Sequence, residues 1–427
     1  MTTRLLMTGT ALAALLPLAA AAEEAAQCKG QLPELNVIAQ GMPAVTALDA
    51  HLAEFNDKWG TTVKITLLGE NERRAKARLD TSTGAGAYQV LYIDEANLAE
   101  YASAGWVYPL ADVVPADYDL ADFRVDLANV ASANGVQYFA PFVGGGDVMM
   151  YRKDLLEAKG IAVPKTLDEM VAAVKALNDP ENKVYGWSAR GQRGSGMNVW
   201  RWTPFFRAMG GEWLTGDGTP AFASDAAVKA TEMYLDLMQN APPGVGTFNW
   251  SDSVEAFRGG QVAILIESDV FGPWMEDPAK SQIVGKVGYA PPPDPLPSAG
   301  WSHGWAVSTV GAKDGCAKVI AGDFVGWATS KDMEQQRLAA GIASDIARVS
   351  TLQSEAYKKA VPQEYIDALL ATGSKTSLLI MASPAWPEIG DNLGLALEEL
   401  FTGTRSDIQG VLDEVAFSAE DSLARLK

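Results

Sequence analysis

The segment that decides the fold reads Val148-Met149-Met150-Tyr151-Arg152-Lys153-Asp154-Leu155, then Gly160-Ile161, then Pro164-Lys165-Thr166-Leu167-Asp168-Glu169. Its apolar start predicts a short strand, the charged residues after it predict a turn of helix, and Gly160 predicts the end of that helix. Thr166 stands three residues before Glu169, which is the spacing of a capping box. The apolar stripe of the capped helix is Met170, Val171, Val174 and Leu177. The segment therefore predicts a strand followed by two separately terminated helices.

Strands and helices alternate in the same way near the N-terminus. Leu35 to Ala39, Thr62 to Leu68 and Gln89 to Ile93 are short apolar runs that predict strands. Between the first two runs, apolar residues recur at steps of three and four, from Val45 to Trp59, which predicts one face of a helix. Strand, helix, strand, helix, strand predicts a parallel sheet with right-handed crossovers, an open α/β lobe.

This alternation is interrupted in two places. Gly144-Gly145-Gly146 can absorb large changes of backbone conformation and is either an ordinary loop or a hinge. A more helical, aromatic-rich region then extends to about Lys286. Pro291-Pro292-Pro293 is incompatible with a helix or a central strand, and the segment from Trp305 to Val310 predicts a strand that re-enters the first lobe. The chain therefore predicts two lobes joined by more than one crossing.

Composition and the N-terminus restrict the cellular context. The chain has 34 Lys and Arg against 53 Asp and Glu, a formal charge of −19, which argues against nucleic acid and anionic membranes as partners. Arg4, the apolar run from Leu5 to Leu18 and the small residues Ala20-Ala21-Ala22 predict a cleaved signal peptide over residues 1–22. No later stretch approaches the roughly 20 apolar residues of a membrane-spanning helix. We therefore expect an exported protein.

The two cysteines, Cys28 and Cys316, are either one disulfide or two separate thiols, and an exported chain favours the disulfide. Two histidines and two cysteines without ligand spacing argue against a transition-metal site. The sequence contains no GxSxG, no GxxxxGK(S/T) and no dinucleotide-binding glycine pattern, so neither a catalytic nucleophile of that type nor a cofactor is expected. Its many carboxylates leave a glycoside-hydrolysing pair open as an alternative.

The opening segment resembles the YxKDLxxxxGI…PxTxxEx signature of family 1 extracellular solute-binding proteins, the ligand-capturing subunits of ABC importers. Further blocks resemble this family, and in particular its sorbitol- and mannitol-binding branch. These blocks are Leu68-Gly69-Glu70-Asn71-Glu72-Arg73, Gly105-Trp106-Val107-Tyr108-Pro109-Leu110, the YGxxxRG-like stretch from Tyr185 to Gly191, the stretch from Trp250 to Ala263, and Phe324-Val325-Gly326-Trp327-Ala328-Thr329-Ser330-Lys331. They cover nearly the whole mature chain in family order.

The resemblance implies an α/β fold of the type II periplasmic-binding-protein kind. Each of its two lobes is a mainly parallel sheet flanked by helices, and the ligand lies in the interlobe cleft. The expected division is 31–144 plus 287–333 for lobe 1 and 145–286 plus 334–427 for lobe 2. The three consecutive glycines then fall at the first crossing, as a hinge strand or a ligand-facing turn.

The function implied is a periplasmic subunit, monomeric and not an enzyme, with no cofactor and no nucleic-acid partner. It would capture a sugar alcohol, sorbitol- or mannitol-like, or a sugar by hinge closure and deliver it to the membrane permease of an ABC importer. The local cluster Arg190, Arg193, Arg201 and Arg207 leaves an anionic sugar derivative as an alternative ligand. An exported carbohydrate-active enzyme is the alternative from another class.

Ligand hydroxyls need charged or amide groups, and C–H faces need flat aromatic rings. Ligands of open α/β sheets bind beyond the carboxyl ends of strands, which nominates Glu70, Asn71 and Asp94. The resemblance adds residues of the glycine turn, the second lobe and the return segment. The full predicted set is Glu70, Asn71, Asp94, Asp147, Arg190, Trp250, Glu267, Trp301, Trp305 and Arg348. Trp202 and Trp213 are expected in the core, and His303 is a further residue that could line the pocket.

Overall fold

The computed structural model describes residues 26–313, 315–373 and 375–426, so the predicted signal peptide lies outside the described residues. The strands within these ranges are β1 Glu34–Gln40, β2 Thr62–Leu68, β3 Val90–Asp94, β4 Ser132–Ala133, β5 Val136–Gln137, β6 Ala140–Gly145, β7 Asp147–Arg152, β8 Tyr185–Trp187, β9 Val262–Ser268, β10 Val287–Ala290, β11 Ser298–Ala299, β12 Trp301–Val307 and β13 Thr376–Ser377. They form two main sheets, ordered β2-β1-β3-β12-β6 and β10-β7-β9-β8. None of the described helices has the length and apolar character needed to cross a membrane.

Helices cover both sheets. In chain order they are α1 Pro43–Thr46, α2 Leu52–Trp59, α3 Glu70–Ser82, α4 Glu95–Ser103, α5 Val125–Val130, α6 Lys153–Lys159, α7 Leu167–Leu177, α8 Asn198–Ala208, α9 Asp225–Met238, α10 Trp250–Arg258, α11 Gly272–Met275, α12 Gly315–Ala328, α13 Lys331–Ala339, α14 Val349–Leu352, α15 Glu355–Ala360, α16 Gln363–Gly373, α17 Trp386–Phe401 and α18 Ile408–Ala424. The predicted capping box is present at α7, where the Thr166 hydroxyl and the Glu169 carboxylate each accept a hydrogen bond from the other residue's backbone N–H. Gly160 ends α6 in a left-handed conformation, which confirms the predicted helix stop.

The predicted alternation of strands is confirmed in the first sheet, where β1 pairs in parallel with β2 and β3. Strand β12 is the exception, because it runs antiparallel to both β3 and β6. It lies between these two strands and pairs with both of them. In the second sheet β7 likewise opposes β9 and β10, while β8 and β9 are parallel.

The chain crosses between the sheets at Gly146, which separates β6 from β7. A Cβ on Gly145 would overlap the Asp269 carboxylate, and a Cβ on Gly146 would overlap the hydroxyls of Ser298 and Thr376. Neither glycine has a positive φ. Close packing of neighbouring segments therefore explains why glycines occupy this crossing. A hinge role for the crossing stays a prediction.

The boundaries of the two lobes also stay a prediction. Val287–Ala290, assigned to lobe 1 from the sequence, forms hydrogen bonds with β7 inside the second sheet. The chain returns to the first sheet only after the proline-rich segment, at β12. The boundary predicted at residue 287 therefore places the return crossing at least one strand too early in the chain.

Cys28 and Cys316 are joined by a disulfide with a Cα–Cα distance of 5.1 Å across 288 positions of sequence. Cys28 is buried in the core of the first sheet, and Cys316 contacts the same core.

We expect the Cys28→Ser/Cys316→Ser double variant to have a free energy of unfolding lower by about 2–4 kcal/mol, because the disulfide restricts the unfolded chain. Urea unfolding of the wild type with and without reductant, beside the double variant, measures this difference. Thiol titration verifies that the reduced sample has lost the disulfide. Equal urea midpoints for the oxidised and the reduced protein would then contradict the prediction.

Candidate functional site

A cavity lies between the facing ends of the two sheets. From the first sheet and its neighbouring loops its polar lining is Gln40, Glu70, Arg74, Glu95, His303 and Asp345. From the second sheet the polar lining is Arg190 and Ser268. Because the carboxyl ends of β1, β3, β8 and β9 all point towards this interface, the cavity occupies the position that strand ends predict for a ligand.

The space open to the centre of a water molecule is about 60 Å³. A single water needs about 10–15 Å³ by this measure, so the cavity has room for roughly four to six waters. At about 30 Å³ of liquid volume each, these waters correspond to a small molecule of about 120–180 Å³. The cavity thus fits a monomeric solute better than an oligomer.

Aromatic rings form another part of the lining. They are Trp200, Trp250, Phe271, Trp274 and Trp301. Trp250 stacks on Phe271 with ring centroids 5.5 Å apart and planes 11° apart. The Trp301 indole N–H donates to the Ser268 hydroxyl at 2.8 Å, which joins β12 to the end of β9 across the interface. The predicted residues Trp250 and Trp301 therefore both face the cavity.

Glu70 also lies where it was predicted, in the cavity lining and at the first residue of α3. Its carboxylate is 2.9 Å from the Arg74 guanidinium, one helical turn later. Arg74 donates from Nε to Asp94 at 2.8 Å, but both of its Nη atoms are buried without a hydrogen-bond partner. Since Nη1 is the atom that faces the Glu70 carboxylate, Nη2 is the nitrogen that is left to bind a ligand oxygen.

Asp94 lies behind the cavity, outside its lining. It caps α4 by accepting from Ala96 N–H at 3.1 Å, and it pairs with Arg73 and Arg74. Burial alone would raise the pKa of the Asp94 carboxyl, but the two guanidiniums outweigh it and hold that pKa well below its usual range. Asp94 thus holds Arg74 in place, and the sequence could not distinguish that role from ligand contact.

Arg190 lines the cavity, whereas Glu267 and Asp147 are fully buried behind it. Arg190 donates to Glu267 at 2.8 Å from Nε and to the Gly196 carbonyl at 2.6 Å from Nη1. Asp147 pairs with Arg201 at 2.8 Å. Two buried ion pairs therefore support the second-sheet wall, and only one of the four groups reaches the ligand space.

The remaining predicted residues lie away from the cavity. Asn71 is exposed and outside its lining. Arg348 donates to the Thr329 carbonyl at 2.7 Å and lies over the Phe123 ring, a structural role within the fold. Trp305 is fully buried in the core of the first sheet. It shares a strand face with Trp301 and His303 but lies deeper in the sheet, where helix α12 covers it.

The arginine cluster that suggested an anionic ligand does not converge on the cavity. Arg201 is neutralised by Asp147, Arg193 is exposed, and Arg207 pairs with Glu212 on the surface. Only Arg190 lines the site, and its charge is matched by Glu267. No arginine of this cluster is left for a ligand anion.

Sequence reasoning missed several lining residues. Arg74 follows Glu70 by four positions, the spacing that places both on one helix face, so the sequence contained a signal for it. Glu95 directly follows Asp94 at the end of β3, which is a second usable signal. Asp345 stands in an irregular loop with a positive φ of 70°, and no pattern in the sequence points to it.

Burial raises the pKa of the Glu95 carboxyl to about 8, with a smaller contribution from the Asp94 charge. Burial likewise raises the pKa of Asp345 to about 6. A folded state with raised carboxyl pKa values binds more protons than the unfolded chain, so these groups stabilise it fully below about pH 4 and lose this contribution as pH rises through 6 and 8.

Below about pH 6.5 the lowered pKa of His303 works in the opposite direction, so we expect the free energy of unfolding to fall between about pH 6.5 and 8, by up to about 1.4 kcal/mol per pH unit from Glu95. Asp94 and Glu267, whose pKa values are lowered, affect stability only in more acidic solution. Urea unfolding across this pH range measures the slope. Glu95→Gln should flatten it, and an unchanged slope in that variant would contradict the assignment.

Two sheets with a small polar and aromatic cavity between them define a ligand-capturing, two-lobe binding protein. The chain belongs to the bacterial extracellular solute-binding protein family, whose model matches residues 40–335.

Relatives with known ligands have the same fold. A solved ABC transporter solute-binding protein from Agrobacterium radiobacter K84, in complex with ribitol, has a TM-score of 0.84 and 29% identity, covering 92% of this chain and 99% of that one. One from Agrobacterium vitis S4 with bound D-mannitol has a TM-score of 0.83 and 25% identity, with the same coverage of 92% and 99%. The mannitol-binding protein of Pseudomonas aeruginosa is 26% identical over 382 residues, 85% of this chain and 86% of the relative. The expected type II fold is thereby confirmed.

Proposed function

We propose that this protein is the periplasmic subunit of an ABC importer, and that it captures a small linear polyol, such as a pentitol or hexitol, for delivery to the permease. The observation that carries the proposal is the cavity between the two sheets, which is lined both by side chains with unpartnered polar atoms and by tryptophans. Similarity to proteins solved with ribitol and D-mannitol supports the same ligand class.

The buried polar atoms favour a hydroxyl-rich ligand. The side chains of Gln40 and Arg74 line the cavity, and Gln40 Oε1 and Arg74 Nη2 have no hydrogen-bond or ion-pair partner among the described residues. A buried polar group without a partner costs about 1–3 kcal/mol, which a ligand hydroxyl can recover by accepting from Arg74 or donating to Gln40. The tryptophan faces suit the C–H edges of the same molecule.

Closure of the two lobes around the ligand is part of the proposal. A Cβ on Gly196 would overlap the Glu70 carboxylate and lie 2.7 Å from Arg74 Nη1, so the second-sheet loop already rests against the first-sheet wall. The same loop is anchored by the bond from Arg190 to the Gly196 carbonyl. A ligand that contacts both walls would favour this closed arrangement over an open one.

The test is a thermal-shift and calorimetric screen of the mature protein against ribitol, D-mannitol, D-sorbitol, neutral mono- and disaccharides and aldonates. A ligand at a hundred times its dissociation constant stabilises the folded state by about 2.7 kcal/mol, so we expect a clear rise in melting temperature for at least one polyol. Trp250→Ala, which removes a cavity wall, should lose that response. A response confined to disaccharides, or none at all, would contradict the proposed ligand class.

A further inference from the structure

Two carboxyl groups of the cavity have no basic partner. Among residues 26–313, 315–373 and 375–426, no Lys or Arg nitrogen lies within 4 Å of the carboxylates of Glu95 or Asp345, although both side chains line the cavity. Their exposed fractions are 6% and 3%. Buried carboxylates are ordinarily paired with a cation, so this pair calls for an explanation.

The local contacts of Asp345 satisfy only part of its carboxylate. Oδ2 accepts from the Ser344 hydroxyl at 2.7 Å, the one hydrogen bond to this carboxylate among the described residues. Arg337 acts on it only from beyond ion-pair distance. The raised pKa of the Asp345 carboxyl agrees with this lack of a close cation.

Glu95 is similarly placed at the end of β3. Oε2 accepts from Ser302 N–H at 3.0 Å and lies 3.8 Å from His303 Nε2. Burial lowers the pKa of His303 to about 3, so this imidazole is neutral at physiological pH and offers Glu95 no charge. Arg74, the nearest guanidinium in the lining, is engaged by Asp94 and Glu70.

The cavity is therefore rich in acceptors and short of positive charge. Arg190 is matched by Glu267 and Arg74 by Asp94 and Glu70, which leaves the Asp345 carboxylate as excess negative charge and the Glu95 carboxyl as a further group without a basic partner. Gln40 Oε1 adds a buried acceptor that lacks a donor. A ligand cation with several N–H donors would satisfy these groups together.

The aromatic wall is an independent observation that points the same way. Trp250, Phe271 and Trp274 form one cluster, with the Phe271 and Trp274 ring centroids 5.1 Å apart, and Trp301 and Trp200 extend it around the cavity. Aromatic faces attract cations, and the attraction reaches about 2 kcal/mol in sites shielded from water. Carboxyl groups and indole rings in one cavity are the two features that bind ammonium groups.

We propose that the cavity prefers a polyol in which one hydroxyl is replaced by a protonated amine, and that it excludes polyols oxidised to a carboxylate, with Asp345 as the residue that selects by charge and Glu95 as a second hydrogen-bonding group of the lining. This inference rests on the proposed function, because it specifies the ligand class of the same site.

The test uses three compounds with one carbon skeleton: D-mannitol, 1-amino-1-deoxy-D-mannitol and D-mannonate, with the ribitol series in parallel. Calorimetry on the mature protein at pH 7 should give a dissociation constant at least about tenfold lower for the amine than for the neutral polyol, as expected for a charged hydrogen bond. The aldonate should bind at least tenfold more weakly than the neutral polyol. A neutral polyol that binds as tightly as its amine, or an aldonate that binds more tightly, would overturn the inference and leave polyol capture standing.

Substitution assigns the effect to residues. Asp345→Asn should reduce the ratio of amine to neutral affinity by about tenfold, and Asp57→Asn, at an exposed position, should keep the wild-type ratio. If Asp345→Asn does not fold, the wild-type ratio at pH 8 and at pH 5 provides the comparison, because protonation of the Asp345 carboxyl, whose pKa is raised to about 6, should lower the ratio. An undiminished ratio in a folded variant would overturn the assignment. Failure of every polyol, neutral or charged, would reject the proposed function together with this inference.

Discussion

Trp305→Ala is expected to lower the free energy of unfolding by about 3–5 kcal/mol, the usual cost of truncating a buried Trp to Ala. The ring is fully buried against Tyr92, Phe142 and Phe324, at centroid distances of 4.9, 5.4 and 5.8 Å. Since these three side chains belong to the first sheet and to α12, the loss opens a void inside one lobe. Urea unfolding followed by circular dichroism measures the effect.

The matched variant is Trp250→Ala, in which the same chemical change is made at the cavity. Trp250 is half-buried and stacks on Phe271, so its removal should cost less stability and at least about tenfold in polyol affinity. Trp305→Ala, studied below its own melting temperature, should keep the wild-type dissociation constant within about threefold. The reverse pattern would mean that Trp305 stacks on the ligand after all.

Glu267→Ala is expected to have an effect of similar size for an electrostatic reason. Glu267 is fully buried, pairs with Arg190 and lies 3.9 Å from Arg201. Burial opposes its charge, but the two guanidiniums outweigh that and lower the pKa of the Glu267 carboxyl. Removing one partner of a buried pair leaves an uncompensated charge, which costs about 3–5 kcal/mol. Unfolding in urea at neutral pH measures it.

The same variant should also weaken ligand binding, because Arg190 loses the carboxylate that orients it in the cavity. The matched control is Glu414→Ala, which breaks an exposed pair with Arg405 and should change the free energy of unfolding by no more than about 1 kcal/mol. Equal effects at the two positions would show that burial of the Glu267 pair contributes nothing.

Local patterns predicted much of the fold. The capping box at Thr166, the glycine stop at Gly160 and the parallel β2-β1-β3 core follow from spacing within a few residues, and each is present. The reversal of β12 and the membership of β10 in the second sheet depend on where the chain crosses between lobes. Pairing of distant strands is a tertiary property, so no local pattern contains it.

The candidate site was harder to predict for a related reason. A strand-end rule finds the correct edge of the sheet, but it cannot tell Glu70, which faces the cavity, from Asp94, which lies one layer behind it. Alternation along β12 places Trp301 and Trp305 on one face of the sheet. Only Trp301 lines the cavity, because Trp305 is fully buried further along the strand. Depth and charge pairing are set by packing across the whole molecule.

The strand order β3-β12-β6 has a consequence for how this protein is made. During synthesis, residues 34–145 emerge long before Trp301–Val307, which must insert between two strands already present. A fragment ending before residue 301 would leave the edges of β3 and β6 unpaired and prone to self-association. The first sheet, most of whose strands are synthesised early, is thus completed only after Trp301–Val307 has been made. We therefore expect truncated fragments to require a chaperone or to aggregate.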